Sequence, residues 1–228
     1  MYPSERTVTY VDAIFAITLT LLVIDIKIPE PIRGGNLIEI LSNEGTSFIS
    51  FLISFVAISV YWFNHHTMFH YIKKIDHTLI FLNMALMLDV IVIPFCASIL
   101  GQYIDVGGWD SKVAALIYGG WILLGAIPFN LVWGYVLKHK ELLHEDFDVD
   151  DLVIMKNYFN RGVYIYLIVT LLSLWNVWIS VIGFALLLVL YLLPAKHWIW
   201  IRNRIKPNTP RVIDSYYTFS AINLMMFF

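Results

Sequence analysis

One cysteine, Cys96, stands in 228 residues, so no intrachain disulfide and no thiolate metal cage can be built from a single subunit. In its apolar run it reads as a small core residue. Charge is also scarce: charged residues make up 14%, where an ordinary soluble domain has about 25%, and this excludes a soluble globular enzyme. Neither sign dominates, with 15 Lys+Arg against 17 Asp+Glu and a formal net charge of -2. The basic footprint of a nucleic-acid binder is therefore missing, and no nucleic-acid partner is expected. Also missing are a Gly-rich phosphate loop, a T-V-G-Y-G filter, a nucleophile elbow, paired acids with metal-binding residues on the loops, and an internal inverted repeat of broken helices. The expectation is a chain without enzymatic activity, cofactor or resident metal.

What the chain does have is apolar residues, at 59%, in stretches long enough to cross a bilayer. A helix rises 1.5 Å per residue and needs about 20 residues for a core of about 30 Å. Six stretches qualify, approximately 7–28, 46–71, 78–100, 112–137, 161–175 and 178–200. The last two flank the polar interruption Trp175-Asn176-Val177-Trp178, read as a tight interfacial hairpin. Helices are the default, because unpaired backbone cannot sit in lipid and no alternating strand pattern suggests a barrel. With six crossings, Arg6, Lys73, Lys74, Lys138, Lys140, Lys156, Arg161, Lys196, Arg202, Arg204, Lys206 and Arg211 share one side. Only Lys27, Arg33 and Lys112 share the other, a bias that places both termini in the cytoplasm. The fold expected is an all-α integral membrane domain over 1–206 with a C-terminal tail, 207–228. The N-terminal run is too long and too acidic, with Asp12 and Asp25, for a cleaved signal. The acidic loop 138–160 reads as a solvated linker, since it lacks the glycine and spaced glutamate of a calcium loop. Pro94 is expected to kink the third crossing.

Polar side chains inside crossings are costly and become candidate functional or paired structural groups. The first helix carries Arg6, Asp12, Thr18, Thr20 and Asp25. On a helical wheel Tyr10, Leu21, Ile24 and Ile28 fall within about 40° of Ile17, while Asp12 points about 140° away. By itself such a stripe reads as plain helix packing. In the second helix Trp62 and His66 share a face that His70 continues, with His65 turned about 100° from it. Three readings of these residues compete: a haem or metal site, a proton relay, and a hydrogen-bonded network in which a His or Trp N–H satisfies Asp12. Asp89, midway along the third crossing, has no cation in its helix. It reads as a cation site, a proton carrier or a carboxylic acid kept neutral by desolvation.

Three segments together resemble the transmembrane protein 175 family of potassium channels. The family's R-x-x-x-F-S-D signature appears as Arg6-Thr7-Val8-Thr9-Tyr10-Val11-Asp12, with Tyr for Phe and Val for Ser. Phe15 to Leu22, Tyr61-Trp62 with His65-His66, and Pro94-Phe95 are similar to the family as well. The resemblance implies a six-helix subunit with its first helix lining a pore on the axis of a homotetramer, in a bacterial plasma membrane, passing monovalent cations and preferring K+. It implies a constriction at Ile17, continued by Leu21 and Ile24, with Thr20 adding a ring of hydroxyls. Arg6, Tyr10 and Asp12 then belong to a scaffold that anchors the first helix through Trp62, His65 or His66. Four copies of the apolar stripe would gate by dewetting. The runner-up is a proton-coupled secondary transporter using Asp89 with His65 or His66, and a redox protein through the histidines stands third.

Overall fold

The computed structural model describes residues 2–24, 26, 36–144 and 149–192. Seven α-helices carry this part of the chain: α1 (Glu5–Ile24), α2 (Leu37–Asn43), α3 (Gly45–His70), α4 (His77–Tyr103), α5 (Gly108–Lys138), α6 (Val149–Leu172) and α7 (Val177–Leu192). Four of them, α1, α3, α4 and α5, are long and apolar enough to cross a membrane, while α6 and α7 offer shorter apolar stretches, Gly162–Leu172 and Val177–Leu188. The remainder of the sixth expected crossing beyond Leu192, together with Asp25, Ile28 and the 207–228 tail, lies outside the described residues. Polar caps set the ends. Asp76 Oδ1 accepts from Leu79 N at 2.8 Å to start α4, and Asn176 Oδ1 accepts from Trp178 N at 2.8 Å to start α7, closing the expected hairpin. Between α4 and α5 the chain turns on Gly107 and Gly108, with φ of 81° and 64°, a region that only glycine enters freely. The short α2 had no counterpart in the sequence reading. It is capped by Asn36, whose Oδ1 accepts from Ile38 N at 3.0 Å. α4 runs helical through Pro94, whose side chain is buried.

The central pair is α4 with α5. Against it pack α3 on α4 and α6 on α5, while α1 lies across α3 and α4, and α7 joins α6 and α3. The core contains Phe15, Ile58, Leu86, Val90, Tyr118, Phe129 and Phe184, all buried. Large apolar side chains also face outward: Phe81, Met84, Leu88, Ile91 and Phe95 form an exposed stripe along α4. A face of that size and composition is stable against lipid and not against water. The protein is a multi-pass membrane protein. At one end the chain makes a small collar. Tyr2–Pro3 (β1) pairs antiparallel with Lys74–Ile75 (β2), and Lys73 N donates to Leu142 O at 2.8 Å. The collar joins the start of α1 to the α3–α4 loop and to the end of α5. Arg6, Lys73, Lys74, Lys138 and Lys140 gather at this end, while Lys112 stands at the other and donates to Leu174 O at 2.7 Å.

Candidate functional site

α1 has no glycine or proline between Glu5 and Ile24, and it divides into two faces. Val11, Phe15, Thr18 and Leu22, spaced four, three and four apart, are buried against α3 and α4. Tyr10, Ile17, Leu21 and Ile24 lie on the opposite side, 56%, 59%, 41% and 68% exposed. The stripe expected from the wheel is therefore not used for packing within the subunit. Thr20 is exposed beside it, and its hydroxyl donates to Ile17 O at 2.7 Å. With the proton committed to the helix, only the oxygen lone pairs of Thr20 remain to face outward, which makes the residue an acceptor.

The buried side of α1 is latched to α3. Trp62 Nε1 donates to Asp12 Oδ1 at 2.8 Å, a charge-assisted bond between the two helices. The His66 ring lies 5.6 Å from Trp62 and tilted by 31°, continuing the same face of α3. His65 turns the other way. It is buried, stacks on Phe69 at 4.3 Å, and its Nε2 meets Asn83 Oδ1 on α4 at 2.8 Å. An amide oxygen only accepts, so Nε2 carries the proton in this orientation. Its Nδ1 has no partner among the described residues. Farther along, Ser50 Oγ donates to Ala97 O at 2.5 Å and Ser54 Oγ to Tyr118 Oη at 3.1 Å, so polar bonds tie α3 to α4 and α5. The structure does not bring Arg6 into this group. Arg6 is exposed in the first turn of α1, without a hydrogen bond or ion pair among the described residues. Tyr10, named with the same motif, points to the open face beside Ile17.

Asp89 occupies a separate place. It is buried, and Trp121 Nε1 donates to its backbone carbonyl at 3.0 Å. Its Oδ2 has no partner among the described residues and crowds the point where a Cβ on Gly125 would stand, as does Tyr61 Oη, which donates to Ile122 O at 2.7 Å. Asp89 follows Asn83 by six residues, about 9 Å of rise and roughly 240° of turn, so it faces away from the His65 contact. Among the described residues no three His, Cys, Asp or Glu side chains come together closely enough to hold a metal ion. Asn83, Trp121 and Gly125 were missed in the sequence, and Tyr61 was singled out there only as part of the family-like Tyr61-Trp62 pair. A lone amide within Leu82-Asn83-Met84, in mid-crossing, was the available signal for the first.

With this geometry in view, comparison with known proteins gives consistent results. The sequence model of the family described as the endosomal/lysosomal potassium channel TMEM175 matches residues 6–94. A potassium channel from Chamaesiphon minutus is 32% identical over 188 residues, covering 82% of this chain and 91% of that protein. The crystal structure of a lysosomal potassium-selective channel TMEM175 homolog from the same organism superposes with a TM-score of 0.72 at 30% identity, covering 82% of this chain and 94% of its own. The endosomal/lysosomal proton channel TMEM175 of Gallus gallus is 28% identical over 150 residues, 61% of this chain and 30% of that protein.

Proposed function

The chain belongs to the transmembrane protein 175 family of ion channels, and from this premise we propose that it is a potassium-selective cation channel gated by an apolar constriction of α1 side chains. Such a family is not one of enzymes. In the proposed assembly four subunits surround one axis in the plasma membrane, each crossing six times with both termini in the cytoplasm. Ile17, Leu21 and Ile24 meet their symmetry mates there. The single observation that supports this is the division of α1 into a latched face and an open one. Val11, Phe15, Thr18 and Leu22 are used within the subunit, while the bulky stripe opposite them is left free.

The mechanism follows from wetting. Rings of four branched side chains offer water no hydrogen bonds, so a narrow ring empties and an ion meets a desolvation barrier. Widening lets the water column reform. Potassium holds its water less strongly than sodium, so a constriction that strips part of the shell penalises sodium more. Thr20 supplies oxygen lone pairs, and no free proton, at the point where the shell is thinned. The Asp12–Trp62 latch fixes α1 from behind and the His65–Asn83 bond fixes α3 to α4, a structural role for Asp12, Trp62 and His65, with the His66 ring tilted against the indole. The same dewetted ring would interrupt a proton wire, so a proton pathway of the kind that the chicken relative's name records would open with the ring. The transporter reading has less support, because Asp89 and His65 lie against different neighbours on different sides of α4. Bi-ionic reversal potentials of the purified protein in liposomes test the proposal. A reversal potential that follows the potassium gradient is expected, and currents that ignore that gradient would refute it.

A further inference from the structure

A partly open cavity of ≈ 80 Å³ lies between α3, α5, α6 and α7, lined among others by Ala57, Asn64, Ala126, Phe129, Gly162 and Tyr166. The small residues Ala57, Ala126 and Gly162, on three different helices, create the space. It is far larger than the 10–15 Å³ that admits one water, and a wall almost wholly of carbon does not hold a water chain. Besides the tyrosines Tyr61 and Tyr166, the polar residue in the wall is Asn64. Its side chain is half-buried and has no hydrogen bond among the described residues, which is costly for an amide at membrane depth. Asn64 lies six residues before the end of α3, about 9 Å below the collar end. The cavity thus runs along the hydrocarbon region and ends near the interface.

A cation stands at that end. Lys156 precedes Gly162 on α6 by six residues, and its Nζ lies 3.6 Å from where a Cβ on Gly134 of α5 would be. The bare glycine makes room for it. Lys156 is half-buried and has no hydrogen bond or ion pair among the described residues. Lys138 follows Gly134 by four residues on the same face of α5, is exposed, and is likewise unpaired. Two ammonium groups and an amide, each without a partner among the described residues, and then an apolar slot follow one another from the interface inward. We infer that this slot seats one acyl chain of an anionic phospholipid whose phosphate lies at Lys156 and Lys138 and whose ester carbonyl accepts from Asn64. The charge complementarity singles out an anionic lipid. An extended polypeptide occupant would bring backbone N–H groups that the carbon wall could not satisfy. The inference needs the chain to be in a membrane but does not depend on its passing potassium, so the two can fail separately.

Native mass spectrometry of the purified full chain, supplied with phosphatidylglycerol or phosphatidylcholine, is the test. Phosphatidylglycerol is expected to remain bound in preference. Lys156→Gln and Lys138→Gln should each lower its retention about fivefold, the factor that corresponds to about 1 kcal/mol per cation near an anionic surface. Ala126→Phe, which fills the slot and leaves both lysines, should lower retention of both lipids. Lys156→Arg should keep binding, separating lost charge from lost folding. Equal retention of the two lipids, insensitivity to Ala126→Phe, or displacement by soluble glycerol phosphate would each overturn the inference.

Discussion

Ile17→Asn is the sharpest perturbation of the proposed constriction. Ile17 is 59% exposed in the isolated subunit. Fully burying an isoleucine contributes about 1.5–3 kcal/mol, so closing the exposed part against symmetry mates contributes about 1–2 kcal/mol per subunit and about 4–7 kcal/mol for a ring of four. Asparagine removes that gain and offers the ring water-binding groups. The Leu21 and Ile24 rings remain, so only part of the change reaches the conductance; even about 1.4 kcal/mol of it is a tenfold shift toward the hydrated state. The expectation is at least a tenfold rise in potassium leak, with a bi-ionic reversal potential moved toward zero as sodium is no longer penalised. Ile17→Leu, which keeps the volume and the apolar surface, should change neither quantity much. The assay is ion flux and reversal potential in liposomes, with the oligomer checked by size. An unchanged current-voltage relation in a normally assembled Ile17→Asn protein would remove Ile17 from the pore.

Other positions give independent expectations. Trp62→Phe deletes the N–H that reaches Asp12 and leaves a half-buried carboxylate unpaired, so thermal unfolding in detergent should show a loss of about 1–2 kcal/mol and weaker assembly. Normal oligomers with altered ion preference in Trp62→Phe or Asp12→Ala would contradict the scaffold role. Gly125→Ala pushes a methyl into Asp89 and Tyr61 and should destabilise by about 1–3 kcal/mol, with relief when Asp89 is also shortened to Ser; a neutral Gly125→Ala would refute that packing. Asp76, in the loop before α4, feels burial that raises its pKa. Hydrogen bonds from the Tyr135 hydroxyl and Leu79 N–H, with the nearby His139, outweigh this and leave it below the ordinary carboxylate value. The unfolded chain therefore takes up this proton first: the stabilisation is complete above about pH 4 and is lost as pH falls through the lower folded value. Asp76→Asn should flatten the acid limb of a thermal-unfolding series, and an unchanged limb would show that the hydrogen bonds do not set it.

The parts of the fold legible in the sequence were those set by one segment and its solvent. Apolar length placed α1, α3, α4 and α5 within a few residues of their ends, whereas the period of the α1 side chains alone read as plain helix packing, and only the family resemblance pointed to a face left open within the subunit. The spacing of Trp62 and His66, with Asp12 turned from the stripe, gave the donors and acceptor of the latch without saying which donor would meet it. What escaped depends on distant partners. Asn83 matters because His65 comes from another helix, and Gly125 because Asp89 and Tyr61 converge on it from two others. Neither relation leaves a periodic trace. Arg6 matches the signature by type, yet one subunit alone gives it no partner among the described residues.

The two-residue pairing of Tyr2–Pro3 with Lys74–Ile75 also constrains how α1 can move. A rod fastened at its foot can lean or swivel, but sliding along its length means breaking the fastening. Dilation of the ring would then be greatest toward Ile24, far from the tether, and smallest beside Tyr10, so the widening would be conical. Freeing the foot, by removing the first three residues, would let all levels open together.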